Sequence, residues 1–434
     1  MKKLILLSIC LLFAVIDSNV LSALPKKTED RKVITSQDTI EIRLITLSPH
    51  DDLFAWFGHS ALEVHNTVTD QAFSFNFGGF YFDFEHLLQF SLGKFTFWTY
   101  ALETERALTP YRREDRHIVF QSLNLTPVQK IKIRKALIEY LKPDKRYYQY
   151  DHFLDNCSTR IRDIIDEALD GALKDQTQQP ADLTFREFVH RMTYNYPHID
   201  FMVMFLMNDQ IDKPITQWDS MFLPDRLMAV IQSSHTPFIN NNGNAPLVAI
   251  KKEENRGKGI PYYYPKATAA DTVTRELIWG TILLVLFGFN AIFYLKRKKV
   301  FLRLYPAIVS GFGLIFGLLG TTLFFMMCFT EHKDTYWNEN ILLINPITLF
   351  LLPVGIIRVF NRAKPAFAWL SVSAGLIAFS GLILKLLPAF DQVNGQQLRI
   401  LLPTLMVIAI TGILDLSINN HLSFVNKLRK KNWR

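Results

Sequence analysis

Five long apolar runs in the last third of the chain place the strongest limit on how it can fold. They cover residues about 276–295, 304–328, 341–360, 367–389 and 398–418 of a sequence of 434 residues. Each run approaches or exceeds the roughly 20 apolar residues that a helix needs to cross the hydrocarbon core of a bilayer. The sequence therefore predicts an all-α domain of five transmembrane helices, and the residues before it must fold in water.

Basic residues between the runs predict how these helices are oriented. The segments after the first and third runs and the C-terminal tail carry clusters of Lys and Arg, whereas "TEHKDTYWNEN" and "DQVNGQQ" contain one lysine between them. Loops rich in Lys and Arg remain in the cytoplasm. Residues from about 24 to 275 are therefore expected outside and the C-terminus inside. The net charge of +8 follows from this topology and does not indicate a nucleic acid partner.

The N-terminus has the pattern of an export signal. "MKKLILLSICLLFAVIDSNVLSA" begins with two lysines, continues with an apolar stretch and ends with small residues up to Ala23. This pattern predicts a signal peptide over residues 1–23, with a retained N-terminal anchor as the alternative. Cys10 follows Ile9, where a lipoprotein signal requires a small residue, so the pattern does not indicate a lipoprotein. Either alternative exports the domain that follows.

These patterns divide the chain into five parts. Segments such as "NNNGNAP" and "PYYYPK" carry little helix or strand signal and indicate a linker. The predicted parts are the signal or anchor 1–23, an exported α+β domain 24–240, a linker 241–275, the five-span domain 276–420 and a basic cytoplasmic tail 421–434.

Cys157 is the only cysteine of the predicted exported domain. Exported cysteines usually pair, so an unpaired one suggests either an intermolecular disulfide or a functional thiol. In "YDHFLDNCSTRIRD", apolar residues at helical spacing follow Cys157, and Asp155 or Asn156 can serve as the N-cap. The thiol is then in the first turn, where the helix dipole favours the reactive thiolate. Cys157 is therefore a candidate nucleophile.

A thiolate nucleophile needs a base, normally histidine, that a third group orients. "FGHSALEVHN" predicts a short strand that begins near His59, behind a glycine. The next strand, "AFSFNFGGF", places Asn76 on its polar side, where it is a candidate to orient the imidazole. His152, five residues before the cysteine, is the rival base, and Asn76 on a solvated face is the alternative for that residue.

Five further residues are assigned to substrate binding. Tyr150, Asp155 and Asn156 come just before the thiol, and His332 and Asn338 belong to a polar external loop that could hold a lipid headgroup. The sequence has no metal-ligand spacing and no Gly-rich phosphate loop, so neither a metal nor an organic cofactor is expected.

Four ordered motifs, "FGHSALEV", "FSFNFGGF", "QSLNLT" and "RYYQYDHFLDNCSTRIRD", resemble the exported domain of the bacterial lipoprotein N-acyltransferase family called Lnb. The resemblance implies a circularly permuted papain-like thiol fold, also used by lecithin–retinol acyltransferases. It implies Cys157 as nucleophile, His59 as base and, less directly, Asn76 as the third residue. The implied reaction moves an acyl chain from a membrane phospholipid, through a cysteine thioester, to the α-amine of the lipidated N-terminal cysteine of diacylated lipoproteins.

Two other functions fit the same residues. One is an exported thiol peptidase or amidase that acts on cell-wall peptide, and the other is a non-catalytic, membrane-anchored binding protein. For the acyltransferase, the expected location is the bacterial inner membrane, with the catalytic domain in the periplasm and the C-terminus in the cytoplasm.

Overall fold

The computed structural model describes residues 39–50, 55–81, 83–236, 245–255, 269–360 and 365–431. The predicted signal peptide lies outside the described residues. The chain forms two compact units. Among the described residues, the sheet unit comprises 39–195 and 213–255, and the helical unit comprises 196–212 and 269–431.

An antiparallel sheet of seven strands, in the order β6-β4-β3-β2-β1-β5-β9, organises the sheet unit. Strands β7 and β8 form a separate two-stranded ribbon. The strands are β1 Ile40–Leu47, β2 His59–Asn66, β3 Ala72–Gly79, β4 Thr96–Glu103, β5 Ile118–Leu123, β6 Tyr147–Gln149, β7 His235–Thr236, β8 Ala245–Pro246 and β9 Val248–Glu254.

Among the described residues, helices occur in both units. In chain order they are α1 Phe84–Ser91, α2 Thr104–Arg113, α3 Pro127–Glu139, α4 Cys157–Ala168, α5 Ala172–Gln176, α6 Phe185–Thr193, α7 Pro197–Leu206, α8 Gln217–Ser220, α9 Pro224–Ser233, α10 Ala269–Leu295, α11 Phe301–Phe329, α12 Asn340–Leu343, α13 Pro346–Leu349, α14 Leu351–Phe360, α15 Ala366–Leu384 and α16 Gly395–Lys431.

Apolar side chains alternate along the strands and build a core on each face of the sheet. On β1, Ile42 and Leu44 belong to the larger core, which contains residues of α3, α4 and α9. Ile45 and Leu47 belong to a smaller core on the other face, together with Leu108 of α2. This arrangement is an α/β domain with an antiparallel sheet, and it packs helix α4, which begins at the candidate nucleophile, against the sheet.

Part of the predicted linker is a strand of the sheet. Strand β9 lies at the edge beside β5, with Val248 opposite Leu123 and Glu254 opposite Ile118. Most of its side chains are exposed, as expected for an edge strand. The interval 245–254 therefore belongs to the sheet unit, because β9 pairs with β5 and β8 pairs with β7.

Apolar helices form the helical unit. Among the described residues, four helices are long and apolar enough to cross a membrane, and a bent pair adds a fifth crossing if the pair is a single span. The four are Val273–Leu295, Phe301–Phe329, Ala366–Leu384 and Gly395–His421, and the pair, bent by 46°, is Asn340–Leu349 with Leu351–Phe360. These elements follow the five apolar runs of the sequence.

Helix α7 belongs to the helical unit, although the sequence pattern places it within the exported domain. Phe205 is buried in the same core as Phe287 of α10. The backbone carbonyl of Phe205 accepts hydrogen bonds from the side-chain amides of Asn338 at 3.0 Å and Asn340 at 2.9 Å. The segment 196–212 is therefore an integral part of the helical unit and not a loop of the sheet unit.

Candidate active site

Cys157 is the first residue of α4, and Asn156 caps that helix. The Oδ1 atom of Asn156 accepts hydrogen bonds from the backbone N–H groups of Ser158 at 2.8 Å and Thr159 at 3.0 Å. Its Nδ2 atom donates to the carbonyls of His152 and Phe222. The side chain is buried and all of its hydrogen-bonding groups are used within the domain. Asn156 therefore fixes the start of the helix, and its role in substrate binding stays a prediction.

His59 is the first residue of β2, and two glycines give its backbone and ring the space they need. Gly58 has a φ of +76°, and a Cβ there would lie 2.6 Å from the Leu47 carbonyl oxygen. A Cβ on Gly78 would approach the His59 ring to 3.1 Å from Cε1. Only glycine satisfies the first position without strain, and the second brings β3 close beside the imidazole.

Asn76 lies on β3 next to the imidazole. Its Oδ1 atom is 3.2 Å from Nε2 of His59. Its Nδ2 atom donates to the backbone carbonyl and to the hydroxyl of Ser74, both at 3.3 Å. Ser74 therefore fixes the amide with its oxygen toward the ring. The sequence places Ser74 and Asn76 on one face of the strand, but it gives no sign that one orients the other.

The Cys157 thiol is half-buried and interacts with His59. Burial raises the pKa of the thiol, but the charge and hydrogen bond of His59, the backbone N–H of Ser60 and the Ser158 hydroxyl together hold that pKa below its usual value. Asn76 occupies Nε2 of His59, which leaves Nδ1 for the sulfur. The arrangement favours a thiolate beside an oriented imidazole.

Two buried hydroxyls join the strand to the helix directly beside the sulfur. The Ser60 and Ser158 Oγ atoms are 3.1 Å apart, and Ser158 Oγ is 3.9 Å from the Cys157 sulfur. This pair connects β2 with α4 at the level of the dyad. Neither serine is singled out by the sequence, because the contact joins residues far apart in the chain.

Tyr150 and His152 come just before the thiol in the chain and contact each other. Tyr150 stacks on Phe97 with ring centroids 4.3 Å apart and meets His152 edge to face at 5.4 Å. Burial and the charge of Cys157 raise the pKa of Tyr150, so its hydroxyl stays protonated. His152 is exposed and contacts Phe95 and Tyr150, whereas His59 makes the contact with the thiol. The geometry favours His59 as the base.

Asp155 is another residue that the sequence assigns to substrate binding. Asp155 is held in a two-point ion pair with Arg160, at 2.6 and 2.8 Å, and the Arg160 guanidinium lies 3.6 Å from the Tyr148 ring centroid. The Asp155 side chain is 39% exposed, and its role in substrate binding stays a prediction.

His332 and Asn338 belong to the helical unit. Asn338 is buried, donates to the Phe205 carbonyl and accepts from the Asn340 N–H at 2.9 Å and Gln392 Nε2 at 3.1 Å. It joins three segments of the helical unit and is fully buried, and its role in headgroup binding stays a prediction. His332 precedes the short 3-10 turn Lys333–Thr335, and its role in headgroup binding stays a prediction.

Together, the fold and the site define a membrane-anchored α/β protein in which a helix-start thiol meets an oriented histidine. Two family models match the chain: the Lnb N-terminal periplasmic domain over residues 28–191 and the Lnb transmembrane domain over residues 273–413. The chain belongs to the Lnb family, which confirms the resemblance of its motifs. It is a membrane protein with a periplasmic N-terminal domain and a function related to lipoprotein N-acylation. Comparison with curated proteins and with solved structures gave no match.

Proposed function

We propose that the protein is a lipoprotein N-acyltransferase in which Cys157 is the nucleophile and His59 the general base. The observation that carries the proposal is the hydrogen-bonded series Cys157–His59–Asn76, with a thiol pKa below its usual value. The histidine comes first in the chain on a strand, and the cysteine follows on a helix. This order supports a circularly permuted papain-like fold, since the usual papain-like order is the reverse.

In the first half-reaction the Cys157 thiolate attacks the ester carbonyl carbon of a membrane phospholipid. The carbonyl electrons move to the oxygen, and a bond forms between the sulfur and the carbon. When the intermediate collapses, the ester C–O bond breaks and the departing oxygen takes a proton from the His59 imidazolium. The products are an acyl-Cys157 thioester and a lysophospholipid.

The backbone N–H of Cys157 is the donor best placed for the oxyanion. Asn156 already accepts from the next two N–H groups of the helix, and the Cys157 N–H has no acceptor within the described part of the chain. A free N–H in the first turn of a helix can donate to a developing oxyanion, and the helix dipole adds to the stabilisation of that negative charge. The oxyanion would therefore be stabilised by the residue that also supplies the nucleophile.

In the second half-reaction the acceptor is the α-amine of the lipidated N-terminal cysteine of a diacylated lipoprotein. The amine attacks the thioester carbonyl, neutral His59 removes a proton from the nitrogen, and the carbon–sulfur bond breaks to release thiolate. The thiolate and imidazolium are thus regenerated. Membrane-spanning helices suit this reaction, because both donor and acceptor are confined to a membrane.

The test uses purified full-length protein with phospholipid and a diacylated lipopeptide that has a free α-amine. Lysophospholipid and N-acylated lipopeptide should appear in equal amounts, and without acceptor an acyl adduct should be found on Cys157 by mass spectrometry. Cys157→Ala and His59→Ala should each abolish transfer, and the double variant should be no worse than either, because the two residues act as one unit.

A lipopeptide with a blocked α-amine is the matched control and should stop transfer. Lysophospholipid that forms equally fast without acceptor would make the protein a phospholipase. Cleavage of a wall peptide with no change in either lipid would replace the proposal by the amidase reading. Full activity of Cys157→Ala would exclude the covalent mechanism.

A further inference from the structure

A series of aromatic side chains runs from the neighbourhood of the thiol to the surface of the sheet unit. Tyr150 stacks on Phe97, and Phe97 contacts Phe80 with ring centroids 5.4 Å apart. A second branch passes from His152 to Phe95 at 5.3 Å and from Phe95 to Phe90 at 4.4 Å. We call these six residues the aromatic strip.

The strip begins at the nucleophile. The charge of Cys157 acts on the Tyr150 hydroxyl and raises its pKa. The same buried core is contacted at its margin by Cys157, Tyr150 and Phe97. Pairing of β4 with β6 sets Phe97 opposite Tyr148 and brings the chain that leads to the thiol beside the aromatic strand. The strip is therefore continuous with the proposed reaction centre.

The strip ends in an uncovered apolar surface on helix α1. Phe84 and Leu88 are one helical turn apart and 66% and 36% exposed, while Phe90 of the same helix faces Phe95. The charged residues Asp83 and Glu85 flank Phe84 in sequence, and Asp83 is engaged as the N-cap by the His86 N–H at 2.9 Å. Phe84 and Leu88 form an exposed apolar stripe along α1, and the same helix is joined to the strip through the contact of Phe90 with Phe95.

Most of the strip is partly exposed and so does not serve only as core. Phe80, Phe90, Phe97 and Tyr150 are half-buried, and His152 is exposed. Contiguous apolar surface of this kind in a protein usually marks a binding site, because water contact with it is unfavourable. A long hydrocarbon chain matches the composition of the strip, whereas a peptide backbone would need hydrogen-bond partners that aromatic rings do not provide.

We propose that the aromatic strip and the apolar side of α1 bind the acyl chain of the phospholipid donor, with its carbonyl at Cys157 and its methyl end toward Phe84 and Leu88. The inference rests on the proposed acyltransferase function and names the site that selects long acyl chains. It also explains how the thioester can persist, since a chain lying along the strip excludes water from the cleft.

The first experiment measures binding without chemistry. A phosphatidylethanolamine with a diazirine near the methyl end of one acyl chain is photolysed with the full-length Cys157→Ala variant in mixed micelles, and labelled peptides are identified by mass spectrometry. Within the sheet unit, label is expected on α1 and β4 and should be removed by unlabelled phospholipid but not by its free headgroup. Equal labelling near Val128, which is 64% exposed on α3, would overturn the proposal.

The second experiment measures chain-length selectivity by the rate at which Cys157 is acylated by esters of 4-carbon and 16-carbon acids, both presented in the same detergent micelles. In F84S/L88S the long-chain rate should fall about tenfold while the short-chain rate stays within about twofold, since only the long chain reaches the apolar helix. Val128→Ser is the matched control and should change neither rate.

The outcomes separate this inference from the function on which it rests. If F84S/L88S slows acylation by both esters equally, the strip is a structural element. The same rates are also measured with the esters in phospholipid vesicles, and a defect seen there but not in micelles would make α1 a membrane-docking surface. Either result overturns the acyl-chain site while acylation of Cys157 continues. If neither ester acylates wild-type Cys157, the proposed function fails, and the photolabelling result still decides whether the strip binds a chain.

Discussion

Asn76 holds the His59 ring through one hydrogen bond, and Ser74 in turn holds Asn76. The Asn76 amide is buried, so its orientation depends on the few groups that it contacts. We expect Asn76→Ala to lower kcat about 10- to 100-fold without abolishing acylation, because the base remains but loses its orientation. Acylation of Cys157 by a soluble ester is the measurement, and a wild-type kcat would exclude an orienting role.

Ser74→Ala should produce a smaller loss, because the Asn76 amide would keep its backbone partner but lose the hydroxyl. We expect kcat to fall about threefold to tenfold with little change in KM, as removal of one hydrogen bond of about 1 kcal/mol implies. Ser74→Thr keeps a hydroxyl and is the rescue variant. A KM effect alone would show that Ser74 acts on the substrate and not on the histidine.

The direction of the pKa shift of Cys157 can be measured by alkylation. Only the thiolate reacts, so the rate should reach half of its plateau at a lower pH than for an ordinary cysteine, because the pKa of Cys157 is lowered. In His59→Ala that half-rate pH should rise, because the lowering charge and hydrogen bond are lost while burial remains. Labelling of the Cys157 peptide with iodoacetamide is followed by mass spectrometry, separately from the exposed Cys328. An unchanged profile would mean that His59 does not set the thiol pKa.

At this scale the sequence predicts residues whose chemistry depends on local pattern. One helix start and two alternating strands make Cys157, His59 and Asn76 candidates, and the resemblance to the Lnb family favours His59 over its rival His152. Other polar residues are harder to assign, because the sequence alone does not show that the side chains of Asn156 and Asn338 are already hydrogen-bonded within the fold. Those partners, such as Phe222 and Phe205, are distant in the chain, so no local pattern contains them.

Among the elements, helix α4 depends most on its N-cap. Asn156→Ala removes acceptors for two backbone N–H groups and leaves buried carbonyls without a donor, so the free energy of unfolding of the sheet unit should fall by about 2 kcal/mol. Activity should fall as well, because the cap positions Cys157. Thr126 caps α3 with the same kind of capping box and is the matched control.

Thr126→Ala should destabilise the sheet unit by about 1 kcal/mol and leave the rate of Cys157 acylation unchanged. Denaturant unfolding of the full-length protein in detergent, followed by alkylation of Cys157, measures both variants. Comparable loss of activity in the two variants would show that global stability, and not the position of the thiol, governs the rate.

In the helical unit, glycines of α11 allow the bent pair to pack closely. A Cβ on Gly317 would lie 2.4 Å from Leu349 Cα, whereas nothing is within 4 Å of a Cβ on Gly311 of the same helix. Gly317→Leu should therefore separate the helices and lower the temperature of aggregation in detergent, because small residues permit the contact. Gly311→Leu should have little effect, and equal loss in both variants would contradict the packing argument.

Prediction of the elements succeeds where periodicity is strong and fails where pairing is non-local. The alternation of β1 to β3 and the apolar runs can be read directly from the sequence. Strand β9 lies at the edge of the sheet and carries charged side chains, so its sequence lacks a clear alternation of apolar and polar residues. It is recognised as a strand only by its pairing with β5. Helix α7 is too short to be recognised as part of the helical unit, which it joins through the Phe205 side chain and carbonyl.

For the whole molecule, the bent pair of helices decides the topology. If Asn340–Leu349 and Leu351–Phe360 together form one span, the helical unit crosses the membrane five times and the two ends of that unit lie on opposite sides. If the pair enters and leaves on the same side, the unit crosses four times. The basic clusters after α10 and α14 and in the tail favour five crossings, because they then share the cytoplasmic side.

We therefore predict that a reporter active only in the cytoplasm works when fused after Arg434. In a background without native cysteines (Cys10→Ser, Cys157→Ala and Cys328→Ser), a membrane-impermeant maleimide should label Trp337→Cys, a position that is 88% exposed, in intact cells. Lys299→Cys is the matched control on the other side of α11 and should be labelled only after the membrane is opened, since its loop carries one of the basic clusters. An inactive reporter at the C-terminus, with both cysteines labelled as expected, would mean that the bent pair re-enters and that the chain crosses four times. Labelling of Lys299→Cys in intact cells would instead show that the helical unit has the opposite orientation. The basic clusters would then not predict its topology.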